Sequence, residues 1–305
     1  MKRSILIILL LFCAVIYVQW KRPKRRRTSR PKPYIYIGTN EQGYKEYKHR
    51  KTGLVFIYIP AGWFTMGSED SDAYDDEKPE HRVYLDGYYI SKYEVTNAQY
   101  CAFLNAYGNS YQGHECIDLD DEDCQIYYSN GRYYVESGYE NYPVIEVTWY
   151  GAKAFCEYYG WRLPTEAEWE KAARGTDKRK YPWGNRWRCG YCNFADVNTD
   201  CEWSDKNCDD GYKYTAPVGS YPHGASPYGC MDMAGNVWEW CNDWYDEDYY
   251  ENSPDHNPQG PSSGSYRVIR GGSWNRSASC IRCAARGGTP SGGWSDVGFR
   301  PVRDE

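Results

Sequence analysis

YPVIEVTWYGAKAFCEYYGWRLPTEAEWEKAARG, residues 142–175, carries two helix signals in succession, and the rest of the fold can be read outward from it. Thr148 stands as an N-cap before WYGAKAFCEYYG, and Thr165 with Glu168 has the spacing of a capping box. Gly160 and Gly175 supply the two stops. Upstream, Thr96 with Gln99 repeats the capping pattern and predicts a third helix. LVFIYIP (54–60) and RVYLDGYYISKYEV (82–95) have the β-branched and aromatic content of strands, the second broken by a turn at Asp86-Gly87. Beyond Gly175 the chain is rich in Gly, Asn, Asp, Pro, Trp and Tyr with little periodicity, yet too aromatic for disorder. The pattern predicts an α+β fold in one loop-rich domain over 41–305, with low regular secondary structure and no repeat of fixed period. Loops of that length need cross-links, bound ions or aromatic packing to offset the entropy of ordering them.

The 305 residues suffice for one large core, and a mean hydropathy of −0.84 excludes a polytopic membrane protein. Residues 1–20 hold an apolar run behind Lys2 and Arg3, which reads as a signal anchor or signal peptide attaching the chain to a membrane. Residues 21–40 read as a basic disordered tether. The net charge of −6 includes that basic run, so the body is more acidic still, which argues against nucleic acid as a partner. The basic flank favours the cytoplasmic side under the positive-inside rule. Twelve cysteines outside the apolar run are an even number suited to pairing, and favour an extracytoplasmic, oxidising location for the globular part. Cys116 and Cys124 are expected to close the acidic loop CIDLDDEDC. Cys189, Cys192, Cys201 and Cys208 read as two disulfides, with tetrahedral zinc as the alternative.

IPAGWFTMGS (59–68), EVTNAQYCAFLNA (94–106), residues 142–175, YPWGN (181–185), TAPVGSYP (215–222), GCMDMAGNVWEWCNDW (229–244), RVIRGGSW (267–274) and GFRPV (298–302) follow one another in order. Together they resemble the formylglycine-generating enzymes, or sulfatase-modifying factors. The resemblance covers about residues 50–305 and implies a loop-rich domain of the C-type-lectin-like kind. In the family's enzymes, a copper-assisted oxidase converts a cysteine in a sulfatase's Cys-x-Pro-x-Arg motif to formylglycine. Other relatives are iron-dependent sulfoxide synthases, or ligand-binding proteins with variable C-terminal loops.

Calcium is the natural cation for the oxygen-rich stretch DMAGNVWE. The resemblance implies carboxylates from Asp232 and Glu239 and carbonyls from Gly235 and Val237, the alternative being that the acids cap a turn around Trp238. A second structural calcium site would take the Asn193 side chain, the Phe194 carbonyl, Asp210 and the Tyr212 carbonyl. For copper, the enzymes carry two cysteines five apart after GGS, since Cu(I) is soft and favours thiolate. Here Arg276 stands at the first position, Cys280 matches the second only across a gap, and Cys283 matches a cysteine the family uses in a structural disulfide. Ser273 matches an active-site serine, and Asp296 stands where the enzymes have asparagine. A second disulfide of the family is lost as a pair, with Ala173 and Pro301 at its positions.

Two functions follow from these residues. One is a protein-modifying oxidase in which Cys280 and Cys283 hold copper, Ser273 positions substrate, and a groove of Trp238, Arg276 and Asp296 admits a peptide such as a sulfatase segment. The other is a non-catalytic module whose 274–297 loop and tyrosine-rich insertions contact an extracellular ligand or partner protein. The scattered His81, His114, His223 and His256 lack ligand spacing, and no GxSxG, P-loop or HExxH pattern is present.

Overall fold

The computed structural model describes residues 32–305, so the apolar run and the start of the basic segment lie outside the described residues. Among the described residues, no helix is long and apolar enough to cross a membrane. Strand β1 (Tyr34–Thr39) pairs antiparallel with β2 (Lys45–His49). Residues 34–39, read in the sequence as tether, are thus strand. The Tyr34 hydroxyl accepts a hydrogen bond from Trp161, and its ring packs edge-on against Phe56, which draws the segment onto the core.

β3 (Val55–Ile59) continues that sheet, and β4 (Gly62–Met66) and β5 (His81–Leu85) form a separate hairpin. After the turn at Asp86-Gly87, β6 (Tyr88–Ser91) returns to pair with β3. α1 (Asn97–Tyr107) starts at Thr96 with both halves of the capping box made. Two small hairpins follow, β7 (Ser110–Tyr111) with β8 (His114–Glu115) and β9 (Ile126–Ser129) with β10 (Arg132–Val135). α2 (Trp149–Tyr159) and α3 (Glu166–Arg174) begin at Thr148 and Thr165 and end at Gly160 and Gly175, as their caps predict. A second sheet has the order β13-β12-β11-β14, from β11 (Trp238–Trp244), β12 (Arg267–Arg270), β13 (Arg286–Thr289) and β14 (Val297–Gly298). β15 (Val302–Asp304) then closes the first sheet beside β6.

One apolar cluster packs α1 and α2 through Tyr100, Phe103, Trp149 and Phe155 against Trp240 and Phe299. A second sets α3 through Trp169 and Ala172 against Ile57, Phe64 and Val268. The loops between residues 175 and 238 pack around Phe194, Cys192 and Ile281.

Cross-linking is sparser than the cysteine count suggests. Cys189 and Cys208 are joined, but Cys192 and Cys201 are free. Cys116 and Cys124 are also free, which corrects the expected closure of the acidic loop. Both are buried in the first cluster, where burial pushes each thiol up to about 12 and they serve as small apolar groups. Cys280 and Cys283 are free as well, against a structural-disulfide role.

Buried ion pairs do much of the work that cross-links were expected to do. Arg286 grips both oxygens of Glu166 at 2.7 Å, and Arg270 reaches Glu166 at 3.1 Å and Glu170 at 2.6 Å. Arg282 holds Glu77 through two 2.6 Å bonds, which ties the loop after β12 to the segment before β5. Each guanidinium carries several fixed donors, so one side chain can order a loop at several points.

Candidate functional site

The turn after β12 begins the site. A Cβ on Gly272, whose φ is +73°, would lie 2.9 Å from the Cys280 carbonyl oxygen and 2.5 Å from Ile281, so the chain folds back closely on itself there. That return buries Ser273 completely, with its hydroxyl 3.0 Å from both Asp296 Oδ2 and Asn275 Oδ1. Its single proton serves one acceptor at a time. Arg276 Nη2 lies 3.5 Å from the same Asp296 oxygen, and the Trp238 amide donates to the Asp296 carbonyl at 2.8 Å. Ser273, Trp238, Arg276 and Asp296, scattered over some sixty residues, thus gather around Asp296. The Trp238 indole N–H is buried with no hydrogen-bond partner among the described residues.

The two cysteines of the same segment are set apart by their surroundings. Cys280 is half-buried, with the hydroxyls of Ser277, Ser279 and Tyr74 3.9 to 4.0 Å from its sulfur. Cys283 is wholly buried in the α3 cluster, and burial pushes its thiol up to about 12. Its carbonyl accepts from Arg270 at 2.7 Å, which fixes the backbone there. A copper site made of the Cys280 and Cys283 thiolates therefore does not fit these residues, because Cys283 is a core thiol whose burial disfavours the thiolate.

Carboxylates gather on the far side of DMAGNVWE. Arg300, fully buried, donates to both oxygens of Glu239 at 2.6 Å, and Trp169 adds a third bond at 2.9 Å. Glu239 is thereby committed to Arg300. Asp232 accepts from the Gly219 amide at 2.6 Å, and burial raises its carboxyl to about 6. Facing it is Glu94, a residue to which sequence reasoning gave no role. One Glu94 oxygen accepts from Asn236 at 3.1 Å, while the other is buried without a partner. Burial, then the charge of Asp232, push the Glu94 carboxyl well up. The only available signal was its position in EVTN, an acid ahead of a helix cap at the end of an apolar strand.

Asn236 links this cluster to the second oxygen-rich group, because its amide oxygen lies 3.2 Å from Asn193 Nδ2. The Asn193 side-chain oxygen is also buried without a partner. Asp210 accepts from the amides of Phe194 and Tyr212 at 2.9 and 3.0 Å, so the four residues named for this site do lie together. Burial lifts the Asp210 carboxyl to about 6. Among the described residues no three Asp, Glu, His or Cys side chains form a metal cluster by themselves, so any cation here would depend on carbonyl and amide oxygens as well.

Gly235 is what allows the two groups to approach. Its φ is +76°, and a Cβ would lie 1.9 Å from the Asn193 carbonyl oxygen. Gly235→Ala is expected to cost about 1–3 kcal/mol through overpacking and strain, read as a lower urea midpoint with unchanged m-value. A midpoint equal to wild type would mean that the close approach carries no energetic weight.

Residues 42–305 match the family described as the sulfatase-modifying factor enzyme 1-like domain. The serine/threonine-protein kinase pkn1 of Chlamydia caviae is 38% identical over 266 residues, covering 85% of this chain, which spans 40% of that relative's length. The formylglycine-generating enzyme of Streptomyces coelicolor is 36% identical over 289 residues, covering 81% of this chain and 88% of the relative. The structure of PvdO from Pseudomonas aeruginosa superposes with a TM-score of 0.67 and 27% identity, covering 85% of this chain and 98% of the other.

Proposed function

The chain belongs to the sulfatase-modifying factor family, and from that premise we propose that it is a non-catalytic binding member, which takes a protein or peptide segment at the surface over the buried Ser273–Asp296 pair, where Trp274, Asn275 and Arg276 are accessible. The observation that carries this reading is the state of the thiols. Arg276 pairs with Asp296 where the enzymes need a copper-binding cysteine, and Cys283 is enclosed in the core. The Arg276 guanidinium and the Trp274 ring, accessible beside that buried pair, are the groups offered to an extended segment. A protein partner is the natural ligand, given a relative that is a formylglycine-generating enzyme.

Calcium is proposed as the structural cofactor. Asp232 with the Gly235 and Val237 carbonyls would hold one ion, and the free oxygen of Glu94 supports a cation beside them. Asn193, Phe194, Asp210 and Tyr212 would hold the second, supported by the unpartnered Asn193 oxygen. The apolar N-terminal run and the Cys189–Cys208 disulfide support an anchored, extracytoplasmic domain.

An oxidase built on Cys280 alone is the second reading, favoured by the half-exposed thiol and the three hydroxyls around it. The test is to load the full chain with Cu(I), supply oxygen and a Cys-x-Pro-x-Arg peptide, and follow aldehyde formation by mass spectrometry. The expected result is no aldehyde, and copper retention equal in wild type and Cys280→Ser. Turnover that disappears in a folded Cys280→Ser protein would overturn the binding reading.

A further inference from the structure

Arg267, the first residue of β12, is half-buried and clamped between two indoles. Its guanidinium carbon lies 3.6 Å from the Trp149 ring centroid and 3.3 Å from that of Trp244, so both of its faces are covered. Nη1 donates to the Asn242 carbonyl at 2.8 Å, while Nε is buried with no hydrogen-bond partner among the described residues. Trp149 is fixed in turn, since its indole N–H donates to the Cys241 carbonyl at 2.8 Å. Lys153, one turn further along α2, brings its ammonium within 5.0 Å of the same ring.

Both cations line a cavity of about 450 Å³ that no carboxylate lines. Neither has an ion-pair partner among the described residues. Asp243, whose charge acts on Arg267, is held instead to the Glu166 amide at 3.0 Å, and burial pushes its carboxyl well up. Burial lowers the Arg267 guanidinium to about 10, which leaves it charged at neutral pH. A partly buried cation without a counter-ion is costly, and an anion entering the cavity would relieve that cost. The far wall is packed in place: Gly260 has a φ of +74°, and a Cβ there would lie 2.7 Å from the Asp243 Cβ, while one on Gly264 would lie 3.0 Å from the Trp244 Cβ.

The clamp also selects the shape of the anion. With indoles over both faces, the guanidinium offers its in-plane edge, which a planar carboxylate meets with two oxygens. A tetrahedral phosphate or sulfate keeps oxygens above and below that plane, toward the indoles, and gains less. The remaining polar side chains of the wall, Asn242, Gln259 and Ser262, are neutral and suited to exchange hydrogen bonds with hydroxyl groups. We propose that this cavity binds a small hydroxy acid, its carboxylate held by Arg267 and Lys153 and its hydroxyls by the neutral side chains. The site lies at the opposite end of β12 from Ser273 and does not rest on the binding reading there.

The test uses the full chain with gluconate, sorbitol, acetate and ethyl phosphate, followed by calorimetry and thermal melts at low and moderate salt. Gluconate is expected to bind about tenfold more tightly than sorbitol, which lacks the charge, and than acetate, which lacks the hydroxyls. Moderate salt should narrow the gap to sorbitol. Arg267→Lys keeps the charge but loses the planar fork, and should weaken gluconate by about tenfold. Lys153→Gln, a change outside the clamp, should weaken it several-fold while the melting temperature of the free protein holds. Gluconate should raise the melting temperature of the wild type and not that of Arg267→Lys, a difference that a purely structural clamp would not produce. Equal binding of gluconate and sorbitol, or gluconate affinity unchanged in Lys153→Gln, would overturn the site whether or not Arg267→Lys folds. Ethyl phosphate binding more tightly than gluconate would overturn the carboxylate assignment, and acetate binding as tightly as gluconate would overturn the hydroxy-acid assignment. No binding of gluconate would overturn the proposal outright.

Discussion

Arg300→Met is expected to destabilise the domain by about 3–5 kcal/mol, the cost typical of breaking a buried ion pair from one side. Arg300 is completely enclosed and spends its donors on both Glu239 oxygens, the Met231 carbonyl at 2.9 Å, and the carbonyls of Ser91 and Lys92. Its charge also acts on Glu94 and Asp232, opposing the upward push of burial on both carboxyls. Methionine would fill part of the volume but leave three buried carboxylates facing one another and several carbonyls unpaired. For a domain of this size the loss corresponds to a fall in melting temperature of roughly 10 °C. Pairing Arg300→Met with Glu239→Gln should recover part of it, since the second change removes one of the stranded charges. Thermal melts with urea titrations read both effects, and a loss below about 1 kcal/mol for Arg300→Met would show that the pair is not what holds β11 to the chain before β15.

Calcium is expected to raise the melting temperature by several degrees at pH 7 and by much less near pH 5. A ligand that binds only the folded state at a hundredfold excess over its Kd contributes about 2.7 kcal/mol. The pH dependence follows from Asp232 and Asp210, whose carboxyls burial lifts from the ordinary 3.8 to about 6. In the metal-free protein, the stability these groups contribute is fully present below their unfolded value and is lost as pH rises through about 6. Calcium needs the ionised carboxylates, so its contribution grows over the same interval with the opposite sign. Metal-free protein should therefore lose stability between pH 4 and 7, and calcium should flatten or reverse that slope. Asp232→Asn is expected to raise the metal-free stability near pH 7 and to weaken calcium binding. Identical melting temperatures in calcium and in chelator at pH 7 would sink both proposed sites.

The helices illustrate how much of the fold lies in local chemistry. Thr96, Thr148 and Thr165 each cap the helix expected of them, because a threonine hydroxyl meets the backbone N–H three residues on through local geometry alone, with Gln99 and Glu168 completing the box at the first and third. The strands at 55–59 and 81–91 were legible for a similar reason, as β-branched and aromatic runs divided at Asp86-Gly87. The first strand was not. Tyr34 lies in a basic, proline-containing stretch and is ordered by Trp161 and Phe56, which are far along the chain.

The cysteines mark the limit of sequence reasoning most clearly. Their even number suggested a cross-linked domain, yet one pair is joined among the described residues and the others are thiols. Spacing reports where cysteines fall along the chain, whereas pairing requires that two sulfurs converge in space. What holds the loops instead, Arg286 with Glu166 and Arg282 with Glu77, spans 120 and 205 residues, and no local pattern announces it.

By itself, the sequence determined the family frame, the three helix starts and the acidic body, since each depends on residue identity or on neighbours within a few positions. Tertiary structure alone decided that Cys283 is core, that Glu239 belongs to Arg300, that Glu94 faces Asp232, and that the acidic loop meets five aromatic rings around a cavity. Burial and long-range convergence set those outcomes: the same carboxylate or thiol is a solvated group on a loop and a constrained, partner-seeking one inside, and only the folded chain settles which.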